Sequence, residues 1–369
     1  MRPSWVEIDL DAVAANVAAL RAAVVPARFC AVVKADGYGH GDVPVAEAAL
    51  AAGADWLAVA LVEEGVRLRE AGIEAPILVL SEPANGDASA IVTWRLRPAV
   101  YTMPFVEALA AVAGPSPLPV HVKVNTGMHR VGAEPAEAME LLRLVSADPA
   151  LHVEGIWTHF AVAEEDPDFT RSQIAALECF EEAAAAEGIR ADLVHAANTA
   201  GALRYPEARR DLVRVGLGIY RLHPTPTTAP LVPLRPAMRV VSAVSYIRRL
   251  PAGERPSYGR RRALGRDATV ATVPIGYADG VPRRLAQLGA EVLIRGRRYP
   301  HAGTVTMDQI VVDVGDDPVA VGDEVVLLGA QDEDTVTADE WAHLLDTINY
   351  EIVCNFGPRL PRRYVRSAP

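Results

Sequence analysis

FCAVVKADGYGHGDVPVAEAALAAGADWLAVAL, residues 29–61, opens on a short apolar run, FCAVVK (29–34), and passes through a glycine-rich loop. It continues as an alanine-rich segment of helical period (Pro44–Ala52) and returns to a second apolar run, WLAVAL (56–61). An apolar strand, a crossover helix and another apolar strand make the repeat of a parallel sheet. The same texture recurs outward along the chain in PILVL (76–80), RPAVY (97–101), VHVKV (120–124), GIWTHF (155–160), LVHAA (193–197) and LVRVG (212–216), with helical segments such as Glu63–Ala71 and Phe169–Gly188 between them. Eight such units predict an α/β chain whose first part is a (β/α)8 barrel of the TIM type.

Past this region the texture changes. Prolines at 224, 226, 230, 233 and 236 mark a linker, and the runs beyond it alternate or are wholly apolar: 238–250, 268–275, 291–296, 309–315 and 323–329. A barrel over residues 1–230 and a second, mainly β domain over 231–369 are the expected division. Thr337 and Glu340 form a capping box ahead of one helix there. WVEIDL (5–10) also reads as a strand, and with eight barrel strands assigned it is free to join the C-terminal sheet.

The composition narrows the chemistry. With 36 Lys and Arg against 47 Asp and Glu, the net charge of −11 offers no footprint for nucleic acid. Three cysteines, Cys30, Cys179 and Cys354, lack a CxxC pair, so neither a disulfide framework nor a thiolate metal site is indicated. Glu7, Asp9 and Asp11 interrupt any signal-like stretch, and no membrane-length apolar run occurs, so a soluble cytoplasmic protein without a membrane partner is expected.

In barrels of this kind chemistry gathers at the C-terminal ends of the strands, where Lys34, Lys123, His159, Asn198 and Arg214 fall. A lysine at a dry strand end has its neutral amine favoured by desolvation, the form that makes an imine with an aldehyde. Snorkelling of Lys34 to the rim is the plainer alternative. Lys123 needs an acid, a lowered pKa or conversion into an anion that pairs with arginine; a rim salt bridge is its plainer alternative. Gly216 and Gly218 free backbone amides that suit a phosphate, although close helix packing also demands small residues.

Taken in order and spacing, AVVKADGYGHG, KVNTGMHRVG, THFA, HAANTAG, RVGLGIY, SYG, PIGYADG, TVTMDQ and NYEIVCNFGPRLPR resemble the bacterial alanine racemases over nearly the whole chain. The resemblance implies a pyridoxal 5'-phosphate enzyme, a homodimer with shared active sites, that interconverts L- and D-alanine for peptidoglycan. It implies Lys34 as the cofactor lysine and one base, and Tyr258 from the second subunit as the other. His159 and Arg214 would stand behind Tyr258, with Arg214 also facing the pyridine nitrogen.

Arg130 would bind the substrate carboxylate, steadied by a carbamylated Lys123. The phosphate would rest on Tyr38, Thr199, Tyr350 and the amides of Gly216 and Leu217, while Tyr277, Met307 and Asp308 line the entry. Asn125, Thr304 and Arg221 depart from the family pattern, which has Asp, Arg and Gly there. The alternatives are a racemase of serine, lysine or another amino acid on the same fold, a barrel decarboxylase, and a pyridoxal phosphate-binding homeostasis protein. The second domain argues against the last.

Overall fold

The computed structural model describes residues 2–223, 228 and 231–366. Pro224, Pro226 and Pro230 of the expected linker lie outside the described residues. The chain divides into two units. One holds residues 12–37 and 42–235, and the other holds residues 2–11, 38–41 and 236–366. The first strand of the chain, β1 (Trp5–Asp9), belongs to the second unit.

The first unit is a (β/α)8 barrel. Its strands are β2 (Arg28–Val32), β3 (Trp56–Val59), β4 (Ile77–Val79), β5 (Arg97–Val100), β6 (Leu118–Lys123), β7 (Leu151–Trp157), β8 (Leu193–His195) and β9 (Leu212–Val215), in the sheet order β8-β7-β6-β5-β4-β3-β2-β9. Every ladder between neighbours is parallel. Between β8 and β9 the circle is drawn together by Asp211 N–H to Val194 O (3.1 Å) and Arg214 N–H to Ala197 O (2.9 Å). Helices cover the outer face, so strands such as β3, β4 and β9 are buried throughout. This is why they read as unbroken apolar runs rather than alternating ones.

In the second unit β1 pairs antiparallel with β10 (Met238–Ala243) and parallel with β18 (Arg362–Val365). The remaining strands are β11 (Tyr246–Leu250), β12 (Ala268–Val273), β13 (Glu291–Ile294), β14 (Arg297–Pro300), β15 (Ile310–Gly315), β16 (Glu324–Gln331) and β17 (Asp334–Val336). They form one sheet ordered β14-β13-β16-β10-β1-β18, with β17 on β16, and a smaller one ordered β11-β12-β15.

The run 238–250 is therefore two strands rather than one. At Val244 the backbone bonds to Asp323 O, and at Ser245 to Thr272 O, so the chain changes sheets between them. The helix Ala338–Leu345 keeps half of its expected capping box. Thr337 Oγ1 accepts from Glu340 N–H (3.0 Å), but the Glu340 carboxylate accepts from Arg298 instead of turning back. No helix among the described residues is long and apolar enough to cross a membrane.

Candidate active site

Lys34 stands two residues beyond β2, where the intervening Val33 N–H still bonds to Ala58 O at 2.9 Å. From there the backbone turns left-handed: Ala35 (φ 53°, ψ 51°), Asp36 (φ 54°, ψ 48°), Gly37 (φ 59°, ψ 42°) and Tyr38 (φ 53°). Only glycine enters this region freely, and each L-residue costs about 1–2 kcal/mol there. The buried Glu64 carboxylate offsets the strain. Its Oε1 accepts from Ala35 N–H (2.6 Å) and its Oε2 from Ala60 N–H (2.7 Å) and Leu61 N–H (3.1 Å). Asp36 Oδ1 accepts from Asp42 N–H (3.2 Å), and Arg67 Nε donates to Asp42 Oδ2 (2.6 Å).

Lys123 ends β6, buried, with Nζ 4.2 Å from the centroid of the Trp157 ring. The Arg214 guanidinium lies 4.6 Å from the same ring. Among the described residues no carboxylate pairs with Lys123, Arg130 or Arg214, so a rim salt bridge does not explain Lys123. Burial, and then the charges of Arg214, Arg130 and Lys34, push its ammonium down to about 7. His159 lies two residues past β7. Burial and the cations Arg214, Lys123, Arg130 and Lys34 hold it well below the ordinary imidazole value, hence neutral.

Arg214, within β9, is buried and held wholly by neutral acceptors. Nη1 bonds to His195 Nδ1 (2.7 Å); Nη2 bonds to Thr158 O (2.9 Å), Ala196 O (2.8 Å) and His159 Nδ1 (3.2 Å). Burial pushes its pKa down, to about 10, which still leaves it charged near neutrality. Because a guanidinium only donates, His159 Nδ1 must be a bare acceptor, and the proton of this neutral ring sits on Nε2. The Nε–H of Arg214 has no acceptor among the described residues.

Thr199 opens the helix Thr199–Arg204, capped by Asn198 Oδ1 on Gly201 N–H (2.9 Å). Thr199 Oγ1 accepts from Gly216 N–H (3.2 Å), which brings Thr199, Gly216 and the adjoining Leu217 together. At Gly218 a methyl group would stand 2.9 Å from Leu20 Cδ1 and 3.1 Å from Thr199 Cγ2, so close packing also requires glycine there. An amide at Asn125 has a local reason: its Nδ2 donates to Glu134 Oε1 at 2.5 Å, where a second carboxylate would be repelled. Its Oδ1 accepts from Gly127 and His129 N–H, which shapes the turn before the exposed Arg130. Arg221 sits in the left-handed region (φ 60°, ψ 25°).

In the β unit, the rings of Tyr38 and Tyr350 lie 6.4 Å apart. Tyr258 is 73% exposed, and the loop that offers it is tied by Thr304 Oγ1 donating to Tyr258 O (2.9 Å) and Ser257 Oγ donating to Thr304 O (2.7 Å). Thr304 thus has a structural part in this loop. Tyr277 N–H donates to Thr306 O (2.9 Å) and Ala278 N–H to Met307 O (3.1 Å), so the exposed Tyr277 and Met307 sit on zipped loops. Asp308 pairs with Arg359 (2.7 Å).

The barrel thus brings Lys34, Lys123, Arg130, His159 and Arg214 within electrostatic reach of one another. Glu64, Trp157, His121 and His195 also shape the site, and no motif marks them in the sequence. The alternation in HVKV (121–124) puts His121 on the face of Lys123, but nothing in one strand shows what that histidine meets.

The model of the alanine racemase N-terminal domain matches residues 8–224, and that of the C-terminal domain residues 237–364. The chain is 49% identical over 368 residues to an alanine racemase of Symbiobacterium thermophilum, spanning 99% of this chain and 97% of that one. It is 39% identical to alanine racemase 2 of Bacillus subtilis, over 99% and 95% of the two chains. Among solved structures, the alanine racemase of the D-cycloserine producer Streptomyces lavendulae superposes with a TM-score of 0.94 at 38% identity, covering 100% and 98%. That of Bacillus anthracis with bound L-Ala-P does so with 0.93 at 36%, covering 99% and 96%.

Proposed function

The chain belongs to the alanine racemase family, and on that premise we propose that it interconverts L- and D-alanine with Lys34 and Tyr258 as bases on opposite faces of the substrate. Inverting a carbon centre requires a proton to leave one face and another to arrive on the opposite one, so two separately placed groups are needed. We assign Lys34 to the D-enantiomer and Tyr258, contributed by a second copy of the chain, to the L-enantiomer. The working unit is then a cytoplasmic homodimer that supplies D-alanine for peptidoglycan, with cofactor chemistry on the barrel (1–230) and the β domain (231–369) completing the neighbouring site.

The observation that carries the reading is the gathering of Lys34, Lys123, Arg130 and Arg214 around His159 with no carboxylate pairing Lys123, Arg130 or Arg214 among the described residues. Cations so placed fit a group that is anionic at one end and offers an sp2 nitrogen acceptor at the other. The open Nε–H of Arg214 suits that nitrogen. Pyridoxal 5'-phosphate, the cofactor of this family, supplies an electron sink when bound that makes the substrate α-proton acidic enough to move.

The chain's own residues do the rest. Lys34 would hold the cofactor, and its amine would take or return the α-proton on one face. Neutral His159 turns its Nε2–H toward the phenolic oxygen of Tyr258 and so favours the ionised phenol, a base otherwise too weak near neutrality. Arg214 would donate to the ring nitrogen without surrendering a proton. Arg130 binds the substrate carboxylate. A neutral Lys123 amine is the form that takes up carbon dioxide, and the resulting carbamate would pair with Arg130. Tyr38, Thr199, Tyr350 and the amides of Gly216 and Leu217 hold the phosphate; Tyr277, Met307 and Asp308 border the entry and limit substrate size.

The test is incubation of the purified holoenzyme with L-alanine, D-alanine, serine and lysine, followed by chiral chromatography. Racemisation fastest with alanine is expected; preference for another amino acid would refute the substrate assignment. A mixed dimer of Lys34→Ala and Tyr258→Phe chains should regain partial activity through one intact shared site, and failure to do so would refute the sharing.

A further inference from the structure

Behind Arg214 lies a string of buried polar groups that the proposed reaction does not use directly. His195 Nε2 is 2.9 Å from His121 Nδ1, and His121 Nε2 is 3.0 Å from Glu154 Oε2. Arg97 Nε meets the same Glu154 oxygen at 2.9 Å. His121 and His195 have no solvent exposure, whereas Glu154 and Arg97 keep 15% and 23% of their side chains exposed. Arg97 is the first residue of β5, so the string runs from Arg214 to solvent at the N-terminal side of the barrel.

Proton placement follows from chemistry. Arg214 Nη1 can only donate, so His195 Nδ1 must accept, and the His195 proton is left on Nε2. That proton points at His121 Nδ1, which must therefore accept in turn, and the His121 proton faces the Glu154 carboxylate. One guanidinium decides two tautomers. The surroundings keep the rings from turning: Trp157 stacks on His195 (5.4 Å, 16°), and Trp56 meets His121 edge-on (5.5 Å, 74°). Room for His121 depends on Gly155, where a methyl group would lie 2.0 Å from His121 Nδ1.

We propose that His195, His121 and Glu154 are positioning residues that hold Arg214 by neutral imidazole acceptors, so that its charge is aimed and left unneutralised at the cofactor site while the compensating carboxylate stands two rings away. A carboxylate in direct contact would cancel that charge locally; a chain of two imidazoles supplies the acceptor and keeps the anion at a distance. The charged and titratable groups acting on the string are Arg97, Glu154, Arg214 and Lys123. Burial holds both imidazoles neutral, as the string requires. This role rests on the racemase reading, whereas the proton placement does not.

The experiment has two arms on the purified holoenzyme. Nitrogen-15 NMR of histidine-labelled protein should show His121 and His195 each protonated on Nε2 alone, from about pH 6 to about pH 9, the range in which an ordinary histidine loses its charge. An imidazolium or an Nδ1–H form of either ring would overturn the proposal. Glu154→Leu removes the acceptor at the end of the string, so the His121 proton loses its partner. It should lower kcat by roughly tenfold and change KM for alanine by less than about twofold, because Arg214 acts on the reacting system rather than on substrate binding. His121→Phe, which cuts the string between the same aromatic walls, should mobilise the His195 proton and lower kcat further. Wild-type kcat in both variants would overturn the proposal. A wild-type enzyme inactive toward alanine with the expected tautomers would refute only the substrate assignment.

Discussion

Replacing Glu64 by Gln tests whether one carboxylate holds the left-handed turn after Lys34. The native side chain accepts three backbone N–H groups, from Ala35 at 2.6 Å, Ala60 at 2.7 Å and Leu61 at 3.1 Å. A glutamine has one acceptor oxygen. It serves best at the Oε2 position, where Ala60 and Leu61 converge, and its NH2 group then faces the N–H of Ala35. A hydrogen bond to a charged acceptor contributes about 1.5–3 kcal/mol, and an unsatisfied buried donor costs about 1–3 kcal/mol. Because the two figures overlap in part, the expected loss is about 3 kcal/mol. At about 2–4 °C per kcal/mol for a unit of this size, the melting temperature should fall by roughly 6–12 °C.

The loss falls at Ala35, so the turn relaxes and Lys34 moves. A displacement of about 1 Å costs on the order of 100-fold in rate, so kcat should drop at least about tenfold. Circular dichroism melting and a racemisation assay on the holoenzyme read both effects, with Glu63→Gln, an exposed neighbour, as the control. A Glu64→Gln enzyme that melts within about 1 °C of that control would refute the reasoning.

Three other outcomes follow from the geometry. Lys123 is pushed down to about 7 from 10.5, so between those values the unfolded chain binds more protons than the native one. Stability must then rise with pH across that window, by up to about 1.4 kcal/mol per unit. Urea unfolding of cofactor-free protein kept free of carbon dioxide should show this rise in the wild type and lose it in Lys123→Met; parallel curves would contradict it. Thr304→Val removes the hydroxyl that holds Tyr258 O, a bond contributing about 1 kcal/mol. Since the two enantiomers are equal in free energy, kcat/KM should fall roughly fivefold in both directions, and no fall from either enantiomer would exclude a role for Thr304. Arg221→Gly relieves a left-handed residue at the cost of glycine's greater freedom when unfolded, for a net gain of about 0.5–1 kcal/mol. A lower melting temperature would show that the arginine is otherwise engaged.

Much of this molecule is legible residue by residue. Strands buried on both faces must be apolar throughout, and their alternation with helical segments leaves little choice but a parallel barrel; all eight expected runs are strands of it. Glycines 37, 39 and 41 announce the turn after Lys34, since all three take positive φ. Ala35 and Asp36 do not announce theirs, because local preference opposes it and the compensation comes from Glu64 on another element. The run 238–250 hides a change of sheet for a similar reason, as Asp323 and Thr272 decide where it breaks.

Local patterning, then, is sufficient for the architecture, because periodicity lies within short stretches of chain, and the resemblance of motifs to the family names the lysine, arginine and tyrosine candidates. The charge state and orientation of those groups are decided only by the tertiary structure. Arg97, His121, Glu154, His195 and Arg214 come from five different barrel regions, and a proton position depends on which lone pair faces which donor across those distances. No arrangement of neighbours along the chain contains that information.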